Sequence, residues 1–357
     1  VLSYVSLIIV VILQVKNMLS TPQNKISSQS IMLQISLGQI LSKAVCTIIK
    51  LNVPDLLVDN PKTAEELAEL TGSHALSLGR LLRYLASLNI FAIDEQERFA
   101  LTPLSDVLRT DAPSSPRDWI LFNAEPWRWE LSQSFEKVIA TGLSAYEHVY
   151  QKTVYEVFNE KPEYAIAFNK AMKSWSSSLP NAVVNAYNFQ TANLVVDVGG
   201  GMGDLLIAIL EANKTVNGIL FDQLNVIQEA QNFIANKEIV NRCKLVDGDF
   251  LKSVPSGGDL YIISYVLMDW SNEDCITILK NCRASMSNNG SLLIIEPFAD
   301  VSNEQTFAQY TDMIMLQETS GRVRTLKEWN TLLDSSGFTI KNIIPTGTLS
   351  MNIIEVI

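Results

Sequence analysis

A chain of 357 residues, 47% hydrophobic and 18% charged, has enough apolar side chain for two folded domains. Its formal net charge of −11 disfavours a nucleic acid or an anionic membrane as the main partner, because both are held by positive surfaces that release counterions. A small molecule is the expected partner. The four cysteines, Cys46, Cys243, Cys275 and Cys282, show no CxxC spacing, so neither a metal site nor a disulfide framework is expected, as in a protein of the reducing cytoplasm.

The opening run, VLSYVSLIIVVILQVKN, is apolar. As a helix, its first fifteen residues would reach about 22 Å, short of the roughly 30 Å hydrocarbon core, and no basic n-region precedes them. The first methionine is Met18, so residues 1–17 are read as a non-native or disordered extension and no membrane partner is expected.

Residues 18–113 read as short amphipathic helices followed by an extended stretch, FAIDEQERFALTPLS: a helix-turn-helix with a wing. The second helix of that pair, ALSLGRLLRYLASLNIF, carries Leu78, Leu81, Leu82, Leu85 and Leu88 with only Arg80 and Arg83 as cations. A groove-reading helix needs a polar, basic face. Packing against another subunit is the better use of this domain. Pro113 and Pro116 mark its end. Residues 114–190 are helical and rich in aromatics, which fits a core with some rings lining a pocket for a flat substrate.

From residue 191 to 357, strand-like runs alternate with helical ones: LVVDV, GILF, CKLV, the apolar run Ile262 to Leu267, SLLIIE, then FTIKNII and MNIIEVI. That alternation predicts a parallel, doubly wound α/β sheet with helices on both faces. Gly199, Gly200, Gly201 and Gly203 follow the first strand and open a helix, where free N–H groups and close backbone approach favour a ligand. The dinucleotide fingerprint fails: Asp204 stands where the last glycine belongs, and Asp197 would repel a pyrophosphate. Asp197 suits an ammonium group instead. Asp222, closing the next strand, can accept both hydroxyls of a ribose. Gly248, Asp249 and Phe250 after the third strand place a carboxylate and a ring against an adenine. Amino acid, ribose and adenine without phosphate describe S-adenosyl-L-methionine.

On these motifs, together with GLSAYEHVY, FNKAM, GDFLKSVP, VLMDWSNEDCITILKNCR, DMIML and SGRVRTLKEW, the chain resembles the class I S-adenosylmethionine-dependent O-methyltransferases of the caffeate and hydroxyneurosporene type from about Met32 to the C-terminus. The resemblance implies a Rossmann-like methyltransferase domain behind an α-helical winged-helix dimerisation domain, and a homodimer formed through the latter. It implies cofactor contacts at Ser176, Gly200, Asp222, Asp249, Phe250, Ser264 and Trp270, and a substrate under Met172, Trp175 and Met315.

The family's general base is a histidine before Asp-Trp, helped by two carboxylates; here that position is Met268, the first carboxylate is Glu296 and the second is replaced by Val323. An apolar partner is the expected companion of an apolar residue, since a glutamate left without its imidazole is a costly buried charge. Among the two histidines, His74 falls in the winged-helix zone, while His148 lies in a segment that reaches the pocket in the family and is one candidate substitute base. Glu318 and Arg322 are polar candidates nearby, and Asp269 is expected to cap the following helix or brace its loop. Two activities remain open: methylation of an aromatic or enolic hydroxyl of secondary metabolism by proximity and orientation, or a repurposed pericyclase, hydroxylase or decarboxylase in which the sulfonium charge stabilises a transition state without giving up its methyl.

Overall fold

The computed structural model describes residues 27–299, 307–319, 321–348 and 350–357. The leading apolar run and Met18 lie outside the described residues. The chain divides into two compact units, one of residues 27–131 with Phe158–Ser177, the other of Ser132–Val157 with Ser178–Ile357. The aromatic-rich stretch 114–190 is therefore shared between the two.

In the first unit the expected helix pair forms over Ala64–Thr71 and Ala75–Ser87, followed by the hairpin β1 (Phe91–Ile93) and β2 (Phe99–Leu101). Thr63 and Glu66 close a reciprocal capping box at the start of the first helix, and Gly72, at φ 64°, ends it in the left-handed conformation that a side chain resists. Leu78, Leu82 and Leu85 turn inward onto Ile48, Ile49, Leu67, Phe91 and Phe99. The leucines of the second helix thus build its own core, each fully buried one contributing about 1.5–3 kcal/mol. A different surface is left uncovered: Met32, Leu33, Ile35 and Ile40, on the helices Ser28–Ser36 and Gly38–Lys50, and Leu37 at the turn between them, are all more than half exposed. Among the described residues no single helix is long and apolar enough to cross a membrane, although these two helices pass that test as a pair bent by 46°.

The second unit is built on a seven-stranded sheet: β3 (Leu194–Val198), β4 (Asn217–Asp222), β5 (Cys243–Asp247), β6 (Leu260–Ser264), β7 (Ser291–Pro297), β8 (Ile340–Pro345) and β9 (Met351–Val356), in the order β5-β4-β3-β6-β7-β9-β8. Strands β3 to β7 pair in parallel. The all-parallel expectation needs correction at one edge, where β9 inserts antiparallel between β7 and β8. Its short connection from β8 permits a hairpin return, whereas a parallel return needs a crossover of a dozen residues. Val196, Val198, Tyr261, Ile263, Leu292 and Ile294 are buried between the sheet and its helices. Strand order reverses at β3 and β6, and in such a sheet the crevice outside the carboxyl ends at that point receives the ligand.

Candidate active site

The carboxyl ends of β3, β4 and β5 carry the acids the sequence singled out. Gly199, Gly201 and Gly203 adopt φ of 71°, 58° and 82°, so the chain turns from β3 into the helix Asp204–Ala212 through conformations closed to most side chains. At Gly200 the limit is space: a Cβ would sit 2.5 Å from Leu220 Cδ1 and 2.6 Å from Asp197 Oδ2. Asp197, 1% exposed, has Oδ2 with no hydrogen-bond partner, and burial, aided by repulsion from Asp222, pushes its carboxyl up to about 7. A buried carboxylate without a donor calls for a cation.

Asp222 is held differently. Its Oδ2 accepts the Gly201 N–H at 2.8 Å and its Oδ1 the Gln223 N–H at 2.7 Å, which ties the glycine turn to β4. Burial raises its pKa and the two N–H donors oppose the rise. Each oxygen keeps a lone pair for a further donor. Asp249 accepts the Leu251 N–H at 3.0 Å and pairs with Lys252 at 3.1 Å. Phe250 meets Trp270 edge to face with ring centroids 5.5 Å apart, so the two rings converge from loops 20 residues distant in sequence.

The loop that carries Met268 departs from the expected strand. β6 ends at Ser264, because Tyr265 takes a left-handed φ of 56° and Leu267–Asp269 close a 3-10 turn. Arg324, 1% exposed, locks that turn by donating to the Leu267 carbonyl at 2.7 Å, the Trp270 carbonyl at 2.8 Å and Asn272 Oδ1 at 3.1 Å. Gly321 packs against the turn so closely that any Cβ there would overlap the Met268 carbonyl.

Met268 is 6% exposed and its side chain packs with Ala308, Met315 and Val323. Glu296 Oε1 accepts the Met268 backbone N–H at 3.0 Å, while Oε2 has no partner. Burial pushes Glu296 up to about 8 against the attraction of Arg324, so the retained carboxyl is mostly neutral at pH 7. Position 268, its glutamate and Val323 thus form an apolar, largely uncharged patch.

Asp269 does not cap the following helix. That role belongs to Ser271, whose Oγ accepts the Asp274 N–H at 3.1 Å. Asp269 Oδ2 instead accepts a 2.8 Å hydrogen bond from the Tyr155 hydroxyl, a loop brace across 114 residues of sequence. Burial, with repulsion from Glu318, pushes Asp269 up to about 7 against that hydrogen bond.

Glu318 ends the helix Phe307–Glu318, which also carries Met315 and packs against the helices Phe135–Thr141 and Ala145–Tyr150. His148 lies on the latter, but its Nε2 is 2.8 Å from Thr141 Oγ1, a local tie. Arg322 pairs with Glu328 at 3.2 Å and shares a surface hollow with Trp270 and Arg324. Ser264 is half-buried at the end of β6. Met172, Trp175 and Ser176 belong to the first unit, where Ser176 donates to the Met172 carbonyl at 2.9 Å and Trp175 lies 4.2 Å from the Trp119 ring. Tyr155 and Arg324 were not singled out in the sequence: TVYEVF looks like packing, and the arginine draws no notice beside Val323.

The O-methyltransferase domain family matches residues 130–339, and the O-methyltransferase dimerisation domain family matches residues 33–111. The chain is 36% identical over 326 residues to a phenazine O-methyltransferase of Lysobacter antibioticus, covering 91% of this chain and 95% of that one. It is 31% identical to the mitomycin biosynthesis 6-O-methyltransferase of Streptomyces lavendulae, covering 94% and 98%. Its structure matches that of CalO1, a methyltransferase in calicheamicin biosynthesis, in the SAH-bound form, with a TM-score of 0.84 at 28% identity over 92% of this chain and 98% of the other. The chain belongs to the O-methyltransferase family, with an N-terminal dimerisation domain, and is an S-adenosylmethionine-dependent methyltransferase.

Proposed function

We propose that this enzyme methylates a hydroxyl on a small aromatic or enolic molecule of secondary metabolism, relying on proximity and orientation, with no histidine base at position 268. The residues present fit S-adenosylmethionine: Asp197 Oδ2 lacks a donor that an ammonium would supply, the Asp222 lone pairs suit a diol, and Phe250 offers a ring to an adenine. Bound there, the cofactor supplies an electrophilic methyl group. Within the second unit, Ser264 and Trp270 are the remaining proposed cofactor contacts, with Met315, Glu318 and Arg322 proposed for the acceptor.

The observation that carries the reading is a contrast within one sheet edge. The acids at β3, β4 and β5 remain, while Met268 and Val323 occupy an apolar cluster where the family pattern has a histidine and a carboxylate. An acceptor held at reacting distance gains effective molarities on the order of 10⁵ M or more, which exceeds the ~10² to 10⁴ that a general base supplies. A homodimer is proposed through the uncovered face of Met32, Leu33, Ile35, Leu37 and Ile40. The four cysteines are buried and unbonded, in keeping with work in a reducing cytoplasm.

Purified enzyme is to be incubated with S-adenosylmethionine and a panel of hydroxyphenazines, hydroxyquinones and catechols. One S-adenosylhomocysteine per methylated product is expected. A changed product with no S-adenosylhomocysteine would overturn the reading in favour of a pericyclic, hydroxylating or decarboxylating activity, which the apolar replacement of the base also fits.

A further inference from the structure

We propose that Asp269, held in place by Tyr155, takes the proton from the acceptor hydroxyl. This rests on the reading of the site as one for methyl transfer.

Met268 and Asp269 are adjacent on one 3-10 turn, and their side chains part company. Met268 goes into the apolar cluster with Ala308, Met315 and Val323, while Asp269 meets the Tyr155 hydroxyl at 2.8 Å. Loss of a base at 268 therefore leaves a carboxylate one residue away, on a turn fixed by three hydrogen-bonded contacts from Arg324. Tyr155 keeps 40% exposure, yet desolvation is the strongest influence on its hydroxyl. The Tyr155 ring is thus open to solvent while its hydroxyl end, on Asp269, is enclosed. Its face also stacks on Trp270, 6.3 Å between centroids at 13°.

The charged groups facing this pair locate it. Asp222, from the cofactor edge, and Glu318, from the helix that carries Met315, both act on Tyr155, and Glu318 acts on Asp269 as well. Glu296 lies across the turn, close enough for Asp269 to raise its pKa, and Arg324 attracts Glu296. The Tyr155–Asp269 pair thus lies in reach of a carboxylate proposed for the cofactor ribose and of one proposed for the acceptor pocket. Methyl transfer has to occur between those two.

Burial and Glu318 raise Asp269 to about 7, so from about neutral pH upward it is a charged carboxylate with a far stronger pull on a proton than an ordinary aspartate. That is the range in which a general base works best. Tyr155, pushed well above its usual value by burial and by Asp269, does not ionise and acts as the positioning residue. In the step, the acceptor O–H gives its proton to the free Asp269 oxygen and its lone pair forms the bond to the methyl carbon. The methyl–sulfur pair returns to sulfur, and the protonated Asp269 loses its proton to water.

The test compares wild type, Asp269→Asn and Tyr155→Phe with S-adenosylmethionine saturating, using a hydroxyphenazine as ordinary acceptor and pentafluorophenol as one already ionised at neutral pH. Asparagine keeps an acceptor for the Tyr155 hydroxyl, and phenylalanine keeps the stacked ring. Asp269→Asn is expected to lower kcat for the hydroxyphenazine by at least about 10²-fold and for pentafluorophenol by less than about fivefold. Tyr155→Phe removes a hydrogen bond that favours the charged carboxylate, so the acid limb of the kcat–pH profile should move to higher pH. A hydroxyphenazine rate within about threefold of wild type in Asp269→Asn, or an acid limb unmoved in Tyr155→Phe, would overturn the assignment while methyl transfer stands. Absence of S-adenosylhomocysteine from wild type with every acceptor would remove the methyl-transfer reading and this assignment with it.

Discussion

Asp197 gives the most direct handle on the proposed cofactor contact. In the free protein its carboxyl is raised to about 7 by burial, with one oxygen lacking any donor. If it receives the ammonium of S-adenosylmethionine, tight binding requires the carboxylate charged and the amino group protonated. Taking roughly 7.8 for an α-amino group and about 7 for Asp197, both conditions hold in roughly 0.5 of encounters at pH 7.4 and roughly 0.09 at pH 6.0. The dissociation constant should therefore rise about sixfold on going from pH 7.4 to 6.0, about 1 kcal/mol, and rise again above pH 8 as the amino group deprotonates. Calorimetry with S-adenosylmethionine across pH 6 to 9 reads this directly. Asp197→Asn should bind more weakly and lose the acid limb while keeping the alkaline one. A wild-type affinity flat between pH 6.0 and 7.4, or an acid limb that survives in Asp197→Asn, would refute the pairing of this carboxylate with the ammonium.

Three further outcomes follow from the turn after β6. Restoring the family pattern with Met268→His and Val323→Glu together should raise kcat on unactivated phenols, measured by S-adenosylhomocysteine release; no gain in a folded, cofactor-binding variant would reject those two positions as the base and its partner. Glu296, raised to about 8, stabilises the fold below its unfolded pKa of about 4.3, and that contribution is lost as pH rises through 8. Thermal melts of Glu296→Gln should accordingly fall less than wild type between pH 6 and 9, and equal slopes would contradict the buried carboxyl. Arg324→Ala removes the charged donor to the Leu267 and Trp270 carbonyls, leaving only the Trp270 N–H and the weak Cys275 thiol, and should cost about 2–4 kcal/mol in urea unfolding; a loss under about 0.5 kcal/mol would mean the turn is held by other contacts.

The sheet edge proposed for the cofactor was legible because its chemistry is local. A glycine run after a buried strand, and an acid at each strand end, keep their meaning at any position in a parallel sheet, so Asp197, Asp222 and Asp249 fall where the spacing placed them. The end of β6 was hidden, since Tyr265 takes a left-handed φ without the glycine that would announce it. The antiparallel insertion of β9 was hidden too, because strand order is decided by pairing across the sheet while the hydrophobic run of MNIIEV suits either direction. Tyr155 and Asp269 meet over 114 residues, and each alone resembles a packing aromatic or a capping acid. His148 shows the converse, a residue type that attracts attention and a ring tied to Thr141.

The path of the chain bears on how such enzymes are recombined. Residues 132–157 belong with the sheet-bearing unit, whereas Phe158–Ser177 return to the first. A chimera that joins one enzyme's amino-terminal half to another's carboxyl-terminal half at a single splice would separate Tyr155 from the turn it braces, or the helix Pro162–Ser176 from its neighbours. Exchange of acceptor preference between relatives calls for three junctions, near residues 131, 157 and 177, so that each body is transplanted whole.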